Sequence, residues 1–322
     1  MKWIEEYVLS ATGATAINNK QSVQTLWSGY GEIKRYFLKG GTQPSVIVKH
    51  IQLPENSHHP RGWNTEISHQ RKLKSYQVET NWYQHFSQKT SASCRVPKLL
   101  KATEQDGELL LIMEDLDASG FTGRLQPENV SLADALSCLK WLADFHATFL
   151  GVDAKGLWSI GTYWHLDTRP DEWERMGNQP LKAAAEVIDK RLNSAKYQTL
   201  VHGDAKLANF CFHQTGEMAA VDFQYVGKGC GMKDVAYFIS SCFDDEECEK
   251  YESELLDTYF KQLEMSLDNY AVFQELKEEW MALYSYAWAD FYRFLDGWSP
   301  GHWKLHGYSE RMTQQALDEL NP

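Results

Sequence analysis

The chain has 322 residues, 43% of them hydrophobic and 24% charged, so it is long enough for a large folded domain with a sizeable core. Its net charge of -12 argues against broad nucleic-acid binding, because phosphate contacts need concentrated lysine and arginine. The acidity is compatible with a neutral or cationic small-molecule substrate, although an acidic surface is also a common aid to solubility.

Targeting signals and cysteine motifs are missing from the sequence. No apolar run is long enough to cross a bilayer, and the first residues lack the features of a signal peptide. The six cysteines are scattered without a Cys-x-x-Cys pair, which argues against a zinc site or a disulfide framework. We therefore expect a cytoplasmic protein that binds neither nucleic acid nor membrane, and we infer no protein partner.

Residues 24–51 are predicted to form three strands joined by two glycine-containing turns. In the first turn, Ser28, Gly29 and Gly31 would let the backbone approach a phosphate group closely, although a plain hairpin turn is the competing interpretation. Near the end of the third strand stands Lys49, in the position of the strand lysine that grips the α- and β-phosphates of ATP in kinases.

A helical pattern follows from about Asn64 to about Gln88. Glu79 lies on its aromatic-rich face, and a carboxylate in apolar surroundings needs a positively charged partner. Lys49 is the natural partner, and this pair would position a nucleotide. Glu66 on the same helix is the competing candidate, but Glu79 is preferred because it precedes the aromatic end of the helix.

Two further strands are predicted over residues 95–101 and 108–116. The second is strongly apolar and leads into a crossover. In a two-lobed kinase the backbone of that crossover hydrogen-bonds the adenine edge, so we assign Met113, Glu114 and Leu116 to nucleotide binding. An ordinary strand end would have the same composition.

The rest of the chain is predicted to be mainly helical, starting with a capped helix that begins after Ser131 and stops at Gly151. The last third is rich in aromatic residues, for which core packing is the default explanation. Trp288, Asp290 and Tyr292 allow a second interpretation, because aromatic faces with a carboxylate form a pocket for a substrate ammonium group.

The most informative segment is Val201–Phe210, in which Asp204 precedes Asn209 in a short loop between strand-like runs. A second acid, Asp222, ends a returning strand. In phosphoryl transfer, Asp204 would accept the proton of an attacking hydroxyl, while Asn209 and Asp222 would hold Mg²⁺ on the ATP phosphates. Each residue alone could be a turn former, but the ordered set predicts a kinase.

The sequence after this segment carries two smaller expectations. The glycine-rich stretch Gly227–Gly231 lacks the Gly-Lys-Ser/Thr ending of a phosphate-binding loop, so we expect a flexible segment there. Asp234, just beyond, is expected to cap the helix that follows.

These residues resemble the choline kinase/aminoglycoside phosphotransferase superfamily, nearest its ecdysteroid-kinase-like branch. Four segments carry the similarity, in matching order along nearly the whole chain: Met113–Leu116, Val201–Phe210, Val221–Gln224 and Asp234–Phe238. The resemblance implies an α+β, two-lobed protein-kinase-like fold. A small antiparallel-sheet lobe with one long helix would occupy residues 1–115, and a larger, mainly helical lobe would occupy residues 116–322.

The resemblance also implies ATP- and Mg²⁺-dependent phosphorylation of a small-molecule hydroxyl, as in an amino alcohol, a sterol or a related alcohol. It assigns the roles of base to Asp204, of metal ligands to Asn209 and Asp222, of γ-phosphate contact to Lys206, and of an ion pair to Lys49 and Glu79.

Departures from the protein-kinase pattern narrow the range of possible phosphate acceptors. Asp222-Phe-Gln replaces Asp-Phe-Gly and no Ala-Pro-Glu follows, which argues against a protein substrate. Two alternatives remain at this point: an aminoglycoside-type antibiotic phosphotransferase, and a non-catalytic nucleotide-binding pseudokinase. Fold analogy does not identify the acceptor molecule.

Overall fold

A computed structural model of the protein describes residues 2–26, 29–52 and 65–320. The strands in these ranges are β1 (Ala16–Thr25), β2 (Gly31–Lys39), β3 (Ser45–Ile51), β4 (Leu99–Gln105), β5 (Glu108–Glu114), β6 (Thr199–Val201), β7 (Phe210–Phe212), β8 (Met218–Ala220) and β9 (Gly227–Gly229). The α-helices are α1 (Lys2–Thr12), α2 (Thr65–His85), α3 (Leu132–Thr148), α4 (Pro170–Glu174), α5 (Gln179–Asn193), α6 (Met232–Ser240), α7 (Asp245–Ser266), α8 (Tyr270–Ala282), α9 (Tyr284–Trp298) and α10 (Gly307–Leu320). The predicted α+β fold class is confirmed.

The chain divides into two compact units. The first comprises Met1–Ser91, Arg95–Gly123 and Cys211–Val221, and the second comprises Ala92–Cys94, Arg124–Phe210 and Asp222–Pro322. The predicted lobe boundary at residue 115 falls inside a segment of the first unit, so a division at that residue stays a prediction. Within the described ranges, no helix is long and apolar enough to cross a membrane.

The first unit is built on a five-stranded antiparallel sheet in the order β1-β2-β3-β5-β4. Because side chains alternate along a strand, Val46 and Val48 of β3 face one side, where they pack in a buried cluster with Ile4 and Val8 of α1. On the other face, Ile51 packs against α2. The same alternation places Lys49 on the α2 face of the sheet.

Two elements of the first unit escaped the sequence analysis. Helix α1 was not predicted, although Ile4 and Val8 stand four residues apart and are both buried. Strand β1 begins at Ala16 rather than near Gln24, because most of this edge strand is exposed and polar and has no apolar alternation to detect.

The second unit is mainly helical. Helix α9 is almost entirely buried and packs against α4, α5, α6 and α10, while α3 packs against α7. Strand β6 pairs with β9 in a short antiparallel ribbon. The expected start of α3 is confirmed, since Ser131 and Asp134 form a reciprocal capping box.

Two local predictions were displaced or wrong. The strand expected over residues 95–101 begins only at Leu99, because Pro97 lacks the N–H that a strand ladder requires. The stretch expected to be flexible contains β9, whose residues Gly227 and Gly229 are buried against β6. Pairing with the strand that leads into the Asp204 loop fixes it in place.

Candidate active site

The segment from His202 to Asn209, here called the catalytic loop, follows the buried strand β6 and ends in a single 3₁₀ turn, Leu207–Asn209. Gly203 has φ of +77°, a conformation that side-chain-bearing residues rarely adopt. A Cβ atom there would also lie 2.1 Å from the carbonyl oxygen of Tyr225. The loop can therefore turn sharply only with glycine at this position.

Asp234 anchors the backbone of the catalytic loop. Its carboxylate accepts hydrogen bonds from the backbone N–H groups of His202 at 2.5 Å and Gly203 at 3.0 Å. His146 is fully buried, and its Nε2 lies 3.1 Å from Oδ2 of Asp234. The prediction that Asp234 caps α6 was wrong: it lies inside that helix and its carboxylate turns to the loop instead.

Asp204 is held in one orientation by three donors. The hydroxyl of Tyr237 donates to Oδ1 at 3.1 Å, and Lys206 Nζ and Asn209 Nδ2 donate to Oδ2 at 3.0 and 3.1 Å. The residue is only 6% exposed. Its carboxylate is thus positioned before any ligand binds, which is what a group that must meet an incoming hydroxyl requires.

Electrostatics keep the neighbours of Asp204 in their proton-donating forms. The negative charge of Asp204 raises the pKa of Lys206, and Asp222 adds to the effect. Burial raises the pKa of Tyr237 well above its ordinary value. Lys206 therefore stays charged and Tyr237 stays protonated at physiological pH, so both continue to donate to the carboxylate.

Asp222 has φ of +69°, an uncommon backbone conformation for a non-glycine residue. Gln224 donates to its Oδ1 from two residues further on. Strained backbone of this kind concentrates at functional sites, where the surrounding structure maintains it. The backbone conformation of Asp222 therefore helps to set the direction of its carboxylate, as a functional role would require.

Asn209 and Asp222 offer oxygen atoms of the type that Mg²⁺ prefers. Asn209 uses its Nδ2 to donate to Asp204, and its Oδ1 accepts no hydrogen bond from any residue the structure describes. Over the same residues, no group of three or more histidine, cysteine, aspartate or glutamate side chains could hold a metal alone. This donor set fits a Mg²⁺ ion that takes its remaining ligands from phosphates and water.

In the first unit, Lys49 pairs with Glu79. The Nζ–Oε2 distance is 2.6 Å, and both residues are only 2% exposed. The alternation of β3 directs the lysine toward α2, as the fold requires. Glu66 is exposed and accepts a hydrogen bond from Gln70, so the structure decides between the two glutamates in favour of Glu79.

The first turn of the sheet is described in part. Ser28 lies outside the described residues. Gly29 and Gly31 have φ of +77° and +128°, and a Cβ on Gly31 would lie 2.0 Å from the carbonyl oxygen of His50. Gly31 therefore has a packing reason to be glycine, and phosphate binding by this turn stays a prediction.

The three residues assigned to adenine binding surround the end of β5. Met113 and Leu116 are buried, and the backbone N–H of Glu114 already donates to Lys98. The carboxylate of Glu114 is ion-paired with Arg95. The Glu114 side chain thus holds Arg95 within the first unit. A contact of these three residues with adenine stays a prediction.

Of the three residues proposed for an ammonium pocket, Asp290 already has a cationic partner. It forms a buried ion pair with Arg293 at 2.6 Å and accepts a hydrogen bond from Trp164 Nε1 at 2.8 Å. Trp288 is 1% exposed and packs on Tyr308, and only Tyr292 is half-buried. This geometry supports core packing and gives no support to a substrate cation at Asp290.

Residues that the sequence analysis did not assign lie next to Asp204. The backbone N–H of Tyr163 donates to Gly203 at 3.1 Å, and its ring centroid lies 5.6 Å from that of Tyr237. Lys304 Nζ lies 4.7 Å from the centroid of the Tyr237 ring. We name Tyr163, Tyr237, Phe291, Trp303 and Lys304 the Lys304 cluster.

A sequence profile described as "Phosphotransferase enzyme family" matches residues 14–276. The chain belongs to this family. The match spans most of the chain, including Lys49, Glu79 and the whole catalytic loop. No significant match was found among curated proteins.

Solved structures share the fold of this family member. Choline kinase from Cryptosporidium parvum Iowa II has a TM-score of 0.58 at 8% identity, with 99% of this chain and 95% of that chain covered. Amicoumacin kinase hAmiN, in complex with AMP-PNP, Ca²⁺ and Ami, has a TM-score of 0.56 at 16% identity, covering 98% of this chain and 92% of that chain. A microcompartment-associated aminopropanol kinase has a TM-score of 0.51 at 14% identity, covering 99% and 94%. The resemblance to the choline kinase/aminoglycoside phosphotransferase superfamily is confirmed; the ecdysteroid-kinase-like branch stays a prediction.

Proposed function

We propose that this phosphotransferase moves the γ-phosphoryl group of ATP to a hydroxyl group of a small molecule in a Mg²⁺-dependent reaction. The observation that carries the proposal is the carboxylate of Asp204, buried at the end of β6 and held by Tyr237, Lys206 and Asn209. A carboxylate fixed in this way can accept a proton without first reorganising.

The reaction balances without a covalent enzyme intermediate. The acceptor oxygen forms a bond to the γ-phosphorus as the bond from that phosphorus to the β,γ-bridging oxygen breaks, and ADP leaves. The proton of the acceptor hydroxyl moves to Asp204. General-base assistance of this type contributes roughly 10²- to 10⁴-fold in rate.

Asn209 and Asp222 would hold the Mg²⁺ ion. When bound, the metal supplies positive charge that neutralises the phosphates during transfer. Asn209 also donates to Asp204, so the metal ligand and the base are tied together within six residues of chain. Lys206, charged beside Asp204, would contact the γ-phosphate, as the family resemblance implies.

The buried pair of Lys49 and Glu79 would serve the α- and β-phosphates. Glu79 fixes the lysine within the first unit, so that its ammonium group needs little reordering to meet a phosphate. A desolvated ion pair contributes little to the free energy of folding by itself. The burial of Lys49 and Glu79 therefore favours a functional role for the pair over a purely stabilising one.

The structural neighbours guide the choice of acceptors to test. Those proteins are named as kinases of choline, aminopropanol and amicoumacin, and another as an aminoglycoside phosphotransferase in a ternary complex with ADP and hygromycin B. We infer that the acceptor here is likewise a small molecule, either an alcohol of metabolism or an antibiotic. Protection of expressing cells against aminoglycosides would favour the antibiotic assignment.

The decisive experiment compares Asp204→Asn with Asp222→Ala. Asp204→Asn keeps the shape of the loop and should still bind Mg-ATP, while turnover falls by about 10²- to 10⁴-fold. Asp222→Ala should lose Mg-ATP binding. Calorimetry measures binding, and ADP release over a panel of alcohols, sugars, sterols and aminoglycosides measures turnover.

Asp257→Asn is the matched control, because Asp257 is an exposed aspartate of α7. It should change neither binding nor turnover. Undiminished phosphorylation by Asp204→Asn would show that Asp204 is not the base. Binding of Mg-ATP by the unmodified protein without turnover on any acceptor would favour a nucleotide-binding pseudokinase.

A further inference from the structure

Lys304 stands at the edge of the candidate active site, in the irregular segment between α9 and α10. Its ammonium nitrogen lies 4.7 Å from the ring centroid of Tyr237, 5.5 Å from that of Phe291 and 5.6 Å from that of Trp303. Tyr237 is the residue whose hydroxyl donates to Asp204. One tyrosine ring therefore separates this ammonium group from the proposed base.

The ammonium group of Lys304 has aromatic neighbours but forms no ion pair or hydrogen bond with any residue the structure describes. Lys304 is half-buried, and a cation partly removed from water without an anionic partner is unfavourable. Cation–π contacts offset only part of that loss. In keeping with this, burial lowers the pKa of Lys304 to about 7, although the charge of Asp204 acts in the opposite direction.

Two carboxylates of the second unit close to the Lys304 cluster, Asp204 and Asp290, already have partners within the protein. The carboxylate of Asp204 accepts hydrogen bonds from Tyr237, Lys206 and Asn209. The carboxylate of Asp290 forms an ion pair with Arg293. An acceptor with an ammonium group would thus meet Lys304 and Lys206 without a carboxylate assigned to it. Like charges at short distance repel, so this surrounding disfavours a cationic acceptor.

We propose that Lys304 is a specificity-determining residue that binds an anionic oxygen group of the acceptor, a carboxylate or a phosphate. The inference rests on the proposed kinase function and identifies its substrate class: a hydroxylated anion, rather than an amino alcohol or an aminoglycoside. The aromatic rings around Lys304 would pack on the apolar part of such a molecule, and its anionic group would supply the missing charge partner.

The chemistry of the transfer is unchanged by this assignment. The hydroxyl of the acceptor gives its proton to Asp204 and forms the new bond to phosphorus, while the anionic group at Lys304 does not react. The product would be a phosphate ester that retains the second anionic group. Because Lys304 is assigned here to the acceptor and not to the nucleotide, loss of its charge should weaken acceptor use without changing nucleotide binding.

The test uses matched acceptor sets of graded chain length: ω-hydroxycarboxylates, their carboxamides, the corresponding amino alcohols, and ω-hydroxyalkyl phosphates. Each set is assayed with Mg-ATP and the unmodified protein, Lys304→Met and Lys304→Arg. Lys277→Met is the control, because Lys277 also contacts an aromatic ring, that of Phe260, but belongs to α8. Calorimetry with a non-hydrolysable ATP analogue measures binding of the same acceptors.

The unmodified protein and Lys277→Met should bind and phosphorylate an anionic acceptor about ten- to a hundredfold better than its carboxamide or amino alcohol, as one charged hydrogen bond would give. Lys304→Met should remove that preference, and Lys304→Arg should restore most of it. The phosphate arm shows which anion is preferred. Mg-ATP affinity should be the same in all four proteins.

Three outcomes would overturn the inference while leaving the kinase assignment intact. One is a preference of the unmodified protein for amino alcohols. Another is a preference for anions, in turnover and in binding, that survives in Lys304→Met. The third is the absence of any anion preference in both measurements. Failure of the unmodified protein to bind Mg-ATP at all would instead contradict the proposed function itself.

Discussion

Two neighbouring regions of the second unit satisfy their charges in opposite ways. In the catalytic loop, three donors of the protein hold the carboxylate of Asp204: Tyr237, Lys206 and Asn209. In the Lys304 cluster, a cation of lowered pKa is surrounded by aromatic rings. The first region is ready for chemistry before a ligand arrives, whereas the second holds a cation that has no anionic partner among the residues the structure describes.

The difference follows from what each region must do. A base has to be held in place, because a small displacement of the reacting groups slows the reaction. A specificity site has to distinguish molecules, and a desolvated charge left without a partner discriminates strongly against ligands that cannot satisfy it. Tyr237 belongs to both regions, so the two functions share one side chain.

The largest effect is expected from removing the anchor of the catalytic loop. Asp234→Ala leaves the backbone N–H groups of His202 and Gly203 without their acceptor in a buried site. Each hydrogen bond to a charged group contributes about 1.5–3 kcal/mol, so the free energy of unfolding should fall by about 3 kcal/mol or more. Urea denaturation measures it.

Asp144→Ala is the matched control for Asp234. Asp144 is also a buried helical aspartate, but it accepts from Gln262 and Ser266, far along the chain from the loop. This variant should lose less stability and keep its turnover. Equal losses of stability and activity in the two variants would contradict a special role for Asp234.

A smaller effect is expected where the two regions meet. Tyr237→Phe removes the donor to Asp204 Oδ1 and leaves the ring that contacts Lys304. We expect kcat to fall by about tenfold, because one hydrogen bond that orients the carboxylate is lost, while KM for ATP stays unchanged. Steady-state kinetics separates the two parameters.

Tyr284→Phe is a suitable control, since the hydroxyl of Tyr284 is paired with Tyr308 in another part of the second unit. Its kcat should be that of the unmodified protein. A rise in KM for ATP with constant kcat in Tyr237→Phe would indicate that the tyrosine affects the nucleotide rather than the base.

The contrast between the regions also explains what sequence could predict. Asp204, Lys206 and Asn209 lie within six residues, so their spacing alone constrains their geometry. Asp234 and Tyr237 come from α6, and their three-residue separation on one helix face was a detectable sign that they act together. An aspartate near a helix start is more simply explained as a cap, so this spacing by itself does not identify Asp234 as the anchor of the loop.

No sequence spacing of this kind relates Lys304 to the catalytic loop. The lysine lies in an irregular segment about a hundred residues beyond the catalytic loop, where no periodicity relates it to Asp204. Asp290, in contrast, could have been assigned correctly, since Arg293 stands three residues later on the same helix and a buried charge requires a partner. Local pairs are readable from sequence; contacts between distant segments depend on tertiary packing.

The smallest effect is expected from a test of whether the ammonium group of Lys304 has a charge partner in the folded protein. Its pKa is lowered from the ordinary lysine value of 10.5 to about 7, so between these values the unfolded chain binds more protons than the folded one. Stability contributed at this residue should therefore rise with pH above about 7, and Lys304→Met should abolish the rise. Relative to the unmodified protein, the variant should be more stable near neutral pH by about 1 kcal/mol after discounting for solvent screening. The difference should shrink as the pH rises toward the unfolded lysine pKa of 10.5. The difference between the two denaturation curves cancels the titration of groups that do not interact with Lys304. Of those that do, His302, whose pKa is lowered from 6.5 by burial and by the charge of Lys304, titrates below this range, and Cys242, whose pKa is raised by burial, titrates above it. A difference that stays constant with pH would mean that the ammonium group already has a partner, and the contrast with the catalytic loop would not hold.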